Sequence, residues 1–243
     1  MLPLTQTQSK LLASVPGLSH GFTDNTTAKQ DDDQLIAEVS IAKQVHGDRI
    51  VWAESYERRQ READGVATFQ AGLAVGASSA DCTPILTSAV DTSTNKVYAA
   101  MAVHGGWRGT AQRIAAKSFR EFAEACAKRY PERQGSTRFL AAIGPCISYA
   151  SFEVGEDVIQ AFPGCESRGI ARFLRMENGK RKFLFDLPGE NARQLRECAK
   201  ELGVALEIDQ LNLCTVKLDT RFPSYRRDGA KAGRILSFLR FDG

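Results

Sequence analysis

The sequence predicts an α/β or α+β sandwich folded as a single domain over residues 1–243, and three observations carry that expectation. A continuous apolar run, Val97 to Val103, ends in His104-Gly105-Gly106-Trp107-Arg108-Gly109. Ala111, Ala115, Phe119, Phe122 and Cys126 then recur at spacings of three and four, so the unit reads as strand, tight turn and amphipathic helix. The pattern nearly repeats, with Phe139 to Ile143 as strand, Gly144-Pro145-Cys146 as turn, and Val154, Val158 and Phe162 as the apolar face of a helix. No linker interrupts the alternation.

In chain order, Thr23 to Gln34 is polar and includes Asp31, Asp32 and Asp33, the pattern of a solvated loop. Gly47-Asp48 stands between two apolar stretches as a hairpin turn would, which puts His46 at a strand end. Leu73 to Val75 and Pro84 to Leu86 read as strand pieces. The small residues between them, Gly76 to Cys82, allow close backbone approach to a ligand or another strand. Ala192, Leu195, Ala199 and Leu202 mark a further helix, with Gly203 as its C-cap, and Val204 to Ile208 a further strand. Ser224 to Gly229 is a polar turn, followed by apolar Ile235, Leu236 and Leu239.

A chain of 26.6 kDa buries enough to need no disulfide framework: area scaling gives roughly 11,000 Å² folded against roughly 39,000 Å² unfolded. Lys and Arg number 32 against 29 Asp and Glu, a net +3 that is too weak for a protein living on phosphate backbones, so nucleic acid is not an expected partner. No apolar run approaches the roughly 18 residues of a membrane span. The N-terminus lacks a charged start followed by an apolar block, and the protein is read as cytoplasmic. The six cysteines form no Cys-x-x-Cys pair, which argues against a zinc ribbon or a thioredoxin-type motif; in a reducing compartment most are free buried thiols.

His46, Cys82 and His104 stand at the ends of three predicted strands. One thiolate and two imidazoles with an open fourth position form the donor set of a catalytic zinc. The alternative is a buried thiol with core or capping histidines. Around His104, the glycines precede a helix start that attracts anions, and Arg108 adds a fixed cation able to grip phosphate, although such a turn needs glycine on steric grounds alone.

Lys43-Gln44-Val45-His46-Gly47, Ala63-Asp64-Gly65, Ser79-Ala80-Asp81-Cys82-Thr83-Pro84, Val103-His104-Gly105-Gly106-Trp107-Arg108-Gly109, Ile143-Gly144-Pro145-Cys146-Ile147 and Ser224-Tyr225-Arg226-Arg227-Asp228-Gly229 together resemble the ordered motif series of the YfiH/YlmD and laccase-domain (FAMIN-like) family, from about Ala42 to the C-terminus. The resemblance implies an α+β fold, a layered αββα sandwich of the YfiH-like kind. It also implies a mononuclear zinc on His46, Cys82 and His104, with copper as the other candidate, in a pocket for purine nucleosides and phosphate. The implied activity is that of a purine nucleoside phosphorylase with adenosine deaminase and methylthioadenosine phosphorylase activity. Some members were called copper polyphenol oxidases, and a peptidoglycan-editing role is attributed to some bacterial ones. This sequence departs from the family after His20-Gly21-Phe22, where Thr23-Asp24-Asn25 stands in place of an arginine and a glycine-rich loop.

The remaining candidates follow. Arg108, Arg226 and Arg227 are read as cations stabilising developing charge, with solvated surface as the alternative for the last two. Asp81 beside Cys82 is a candidate acceptor for a metal histidine, and Cys146 either lines the pocket or is an inert thiol. Lys43 and Gln44 are candidates to bind a purine or phosphate, and Trp107 is a stacking surface or a core residue. His20, Met101 and the phenylalanines are assigned to structure. A metal-free thiol hydrolase with Cys82 as nucleophile and His104 as base is the rival enzyme. Three histidines in total cannot supply a multicopper array.

Overall fold

The computed structural model describes residues 7–25, 38–218 and 221–243. The acidic run Asp31 to Asp33 lies outside them. Two sheets stack face to face. One has five strands in the order β1-β14-β6-β2-β4: β1 (Leu18–Phe22), β14 (Ile235–Phe241), β6 (Ala74–Ser79), β2 (Val39–Lys43) and β4 (Arg58–Glu62). The other has six, β13-β9-β7-β8-β5-β3: β13 (Ala205–Gln210), β9 (Thr137–Ile143), β7 (Thr83–Asp91), β8 (Lys96–Gly105), β5 (Gly65–Thr68) and β3 (Ile50–Trp52).

Strand alternation explains the layering, because successive side chains point to opposite faces. On β8, Ala99, Met101 and Val103 enter the core under the helices, whereas Ala100 and Ala102 enter the core between the sheets. β7 does the same with Ile85 and Ala89 against Leu86 and Val90, and β9 with Phe139, Ala141 and Ile143 against Leu140 and Ala142. From the five-stranded sheet, Val75, Ala77, Ile235 and Leu239 close the intersheet core. A strand buried on both faces reads as an unbroken apolar run, which is why Val97 to Val103 stood out.

The outer face of the six-stranded sheet is covered by α3 (Ile114–Arg129) and α5 (Leu187–Leu202), which follow the turn α2 (Trp107–Ala111) and the short α4 (Glu156–Gln160); α1 (Lys10–Ala13) packs near one end of the sandwich. α5 carries its stop signal where expected: Gly203 at φ 66° bonds back to Ala199 and Lys200. The α+β sandwich is thus what the chain forms. No helix among the described residues is long and apolar enough to cross a membrane.

Several local expectations are corrected. Gly47-Asp48 does not close a hairpin: β2 and β3 lie in different sheets, and each pairs in parallel with other strands, so the segment is a crossover between layers. Gly76 to Ser79 belong to β6, and Val154 lies in β10 (Glu153–Val154) rather than on a helix. β10 joins β12 (Lys180–Phe185) and β11 (Ala171–Glu177) in a third sheet that the sequence did not signal, because charges interrupt its alternation. Phe173 on β11 is exposed, unlike most of the phenylalanines.

Phe119, fully buried, meets the Phe139 ring edge-on at 5.2 Å between α3 and the sheet. Phe119→Ala is expected to destabilise the fold by about 3–5 kcal/mol, by lost burial plus a cavity, as read by chemical denaturation.

Candidate metal centre

The carboxyl ends of β2, β6 and β8 gather at one edge of the sandwich. His46 follows β2, Cys82 follows β6 and His104 nearly ends β8. One donor atom from each of the three lies within 4.8 Å of the other two. The imidazoles of His46 and His104 stand edge to face, 5.0 Å between centroids.

A buried carboxylate builds this arrangement. Asp64, immediately before β5, accepts hydrogen bonds from the backbone N–H groups of Val45 (3.2 Å), His46 (2.9 Å) and Gly47 (2.7 Å). These bonds hold His46 in the left-handed region at φ 60°, where a residue with a Cβ is strained. The same carboxylate meets His104 Nδ1 at 2.9 Å, leaving Nε2 as the free nitrogen of that ring. Burial tends to raise the Asp64 carboxyl, but bonds from His104 and from the Gly47 amide hold it below its ordinary value.

Asp81 does other work. The acceptor role toward a metal histidine that its place beside Cys82 suggests belongs to Asp64. Asp81, at φ 87°, accepts from the Thr215 hydroxyl (2.5 Å) and from the Arg226 backbone N–H (2.6 Å), and so ties the C-terminal segment to the residue before Cys82.

Burial favours the neutral form of the Cys82 thiol, yet hydrogen bonding from His104 and His46 brings it down to about 6. Burial likewise disfavours the imidazolium of His104, but Asp64 and the Cys82 sulfur raise it to about 9. Without an ion, the site at neutral pH is therefore a thiolate facing an imidazolium. A cation can replace that proton, and the donors fit one: a soft thiolate and two imidazoles suit a divalent transition metal with a position left open. Gly106 leaves room for it, since a Cβ there would stand 3.0 Å from His46 Cδ2, 3.2 Å from Cys82 Sγ and 3.4 Å from His104 Cε1. Gly109 is needed for a related reason: its own Cβ would come within 2.5 Å of the Gly47 carbonyl, so only glycine lets α2 pack on the His46 loop.

The triad opens onto a cavity of about 650 Å³. Lys43, Gln44, Trp107, Asp81 and Arg226 line it with the triad. Lys43 is paired with Glu62 at 2.8 Å. Gln44 spends its amide on β6, donating to the Ser78 carbonyl and accepting from the Ser78 N–H. The other sequence candidates are not brought to the wall. Arg108 lies exposed with its guanidinium 4.4 Å from the Trp107 ring. Arg227 donates to the carbonyls of Thr215 and Phe222 and to Asp228, which makes it a brace for its own segment. Cys146 is buried beside Cys214, and burial pushes its thiol up to about 12. His20 is buried outside the triad and accepts from the Ser9 N–H.

The sequence gives Asp64 no role, does not single out Arg59 or Arg234, and counts Phe152 among the structural phenylalanines, whereas Arg59, Phe152 and Arg234 all lie on the cavity wall. Asp64 did stand in a motif with glycine, Ala63-Asp64-Gly65; nothing in its spacing points to residues so far away in the chain.

The family model described as multi-copper polyphenol oxidoreductase laccase matches residues 23–242. A purine nucleoside phosphorylase of Bacteroides thetaiotaomicron is 31% identical over 227 residues, covering 88% of this chain and 77% of that protein. Adenosine deaminase RL5, from an unknown prokaryotic organism, is 39% identical over 176 residues, 72% of this chain and 60% of its own. The crystal structure of YlmD from Geobacillus stearothermophilus superposes with a TM-score of 0.69 at 21% identity, over 99% of this chain and 98% of that one.

Two outcomes are expected. Asp64→Ala frees the His46 loop and the His104 ring together, so metal affinity should fall about 10- to 100-fold in a competition titration with a chelating dye. For the pH dependence, Cys82 at about 6 is already ionised at pH 7.5, whereas His104 at about 9 still holds its proton. Binding of Zn²⁺ at pH 7.5 should therefore release about one proton per site and tighten as pH rises toward 9, as calorimetry in buffers of different ionisation enthalpy would read.

Proposed function

This chain belongs to the laccase-domain family that includes the YfiH and YlmD proteins, and on that premise we propose that it is a zinc-dependent purine nucleoside phosphorylase that also deaminates adenosine and phosphorolyses methylthioadenosine. The observation that carries the reading is the His46, Cys82 and His104 triad opening onto a cavity large enough for a nucleoside. Relatives named purine nucleoside phosphorylase and adenosine deaminase support it. The site is proposed to act in the cytoplasm on small molecules.

His46, Cys82 and His104 would hold the zinc, which supplies a Lewis acid able to make water ionise near neutral pH. Asp64 keeps His104 in one tautomer and so keeps its Nε2 available. Trp107, Phe152 and Tyr225 offer flat apolar surface for a purine. Arg226 stands over the Phe152 ring at 5.4 Å, with one guanidinium nitrogen anchored on the Glu153 carbonyl. In phosphorolysis a phosphate oxygen bonds to the ribose C1′ as the bond to the base breaks, and the base gains a proton; a fixed cation beside the phosphate offsets the charge in transit. In deamination water adds at the purine C6 and ammonia leaves.

A second reading rests on its own observation. Cys82, His104 and Asp64 are hydrogen-bonded in series, the order of nucleophile, base and orienting acid in a thiol hydrolase. It leaves His46 without a task, and for that reason ranks second. A multicopper centre has too few ligands: of three histidines only His46 and His104 converge.

Zinc-loaded protein should convert adenosine or inosine to free base and ribose 1-phosphate only when phosphate is present. Cys82→Ala should lose metal and turnover while keeping the fold. Turnover that persists after chelation, and is abolished by iodoacetamide, would instead establish the thiol hydrolase.

A further inference from the structure

We propose that Arg59 and Arg234 complete, with Arg226, a subsite for a phosphate group on the cavity wall, and that these two arginines set the enzyme's affinity for it; that the ligand is phosphate rests on the phosphorylase reading.

The placement of Arg59 is built by the backbone. β4 pairs in parallel with β2, Ile41 opposite Arg58 and Lys43 opposite Glu62, so between these pairs one residue of β2 faces three of β4 and the strand bulges there. Within that bulge Arg59 takes φ 50°, a left-handed conformation that a long side chain adopts at a cost. A bulge re-aims a side chain. Here it sends one residue of a solvent-facing edge strand to the cavity wall. No hydrogen bond or carboxylate partner of Arg59 is found among the described residues. Arg234 comes from a different segment, immediately before β14, whose first residue Ile235 pairs with Ser79 at the end of β6. Among the described residues its guanidinium donates to the carbonyls of Ala232 and Gly233, both at 2.9 Å.

The wall is consequently out of charge balance. Lys43 is paired with Glu62, and Asp81, the one carboxylate lining the cavity among the described residues, has both oxygens occupied. Three guanidiniums for which no carboxylate partner is found among the described residues then line the same cavity as the metal donors. Planar forks of this kind bind tetrahedral oxyanions in pairs of hydrogen bonds. The phosphate group can belong to free inorganic phosphate or to a nucleoside 5′-monophosphate.

The test measures binding apart from turnover. Inorganic phosphate and, separately, adenosine 5′-monophosphate are titrated by calorimetry into metal-loaded wild type, Arg59→Gln and Arg234→Gln, with adenosine binding and melting temperature as references for the pocket and the fold. Each variant should weaken phosphate binding about tenfold or more, leaving adenosine binding and melting temperature unchanged. Loss confined to the monophosphate supports the same subsite with a phosphate ester as its ligand. Wild-type affinity for both anions in both variants overturns the proposal. Failure of the phosphorylase reading would look different: the anion affinities would still fall in the variants, but no nucleoside would be cleaved with phosphate present.

Discussion

The structure turns on the carboxylate of Asp64. One side chain, 1% exposed, organises both the loop that carries His46 and the ring of His104, residues that reach it from different sheets. Leaving a buried carboxylate without partners costs far more than the bonds to it gain, so the partners are obliged to converge. Three backbone amides compensate the left-handed turn at His46, and the fourth bond fixes His104. Asp64 raises the ring's proton affinity against its burial, and His104 with His46 in turn gives Cys82 its thiolate character.

Asp81 plays the corresponding part on the other side of Cys82. By holding Thr215 and the Arg226 amide, it brings a segment from near the C-terminus to the metal donors and gives the cavity its Tyr225 and Arg226 wall. The two acids divide the labour. Asp64 sets the donors, Asp81 sets part of the wall, and neither needs to touch substrate to matter. Arg227, adjacent to Arg226 in sequence, is consumed in bracing this segment, which shows how little sequence proximity says about function within a four-residue helix.

The layered core makes these contacts rigid. Each central strand buries both faces, so the ends of β2, β6 and β8 cannot shift independently of the sheets they belong to. Gly106 and Gly109 then let α2 close over the donors where any side chain would collide with them or with the Gly47 carbonyl. The cavity is lined by the metal donors, by the aromatic rings of Trp107, Phe152 and Tyr225, and by the cations Lys43, Arg59, Arg226 and Arg234.

The sequence by itself determined the α+β class, the long central strands, α3 and α5, because burial writes a period of two or of three to four residues directly into the order of apolar side chains. It also determined which three residues can bind a soft cation, because thiol and imidazole are scarce chemistries and only three histidines were available. Only the tertiary structure decided what surrounds them. Gly47-Asp48 carries the composition of a hairpin turn, and the chain instead crosses between sheets there, since strand partners are chosen by long-range burial and not by the turn alone. The choice of Asp64 over Asp81 as the partner of His104, the removal of Arg108 to the face of Trp107, and the arrival of Arg59 and Arg234 at the cavity all depend on strand register. A side chain's partners come from residues far along the chain, and no local pattern encodes which carboxylate or guanidinium the register will deliver.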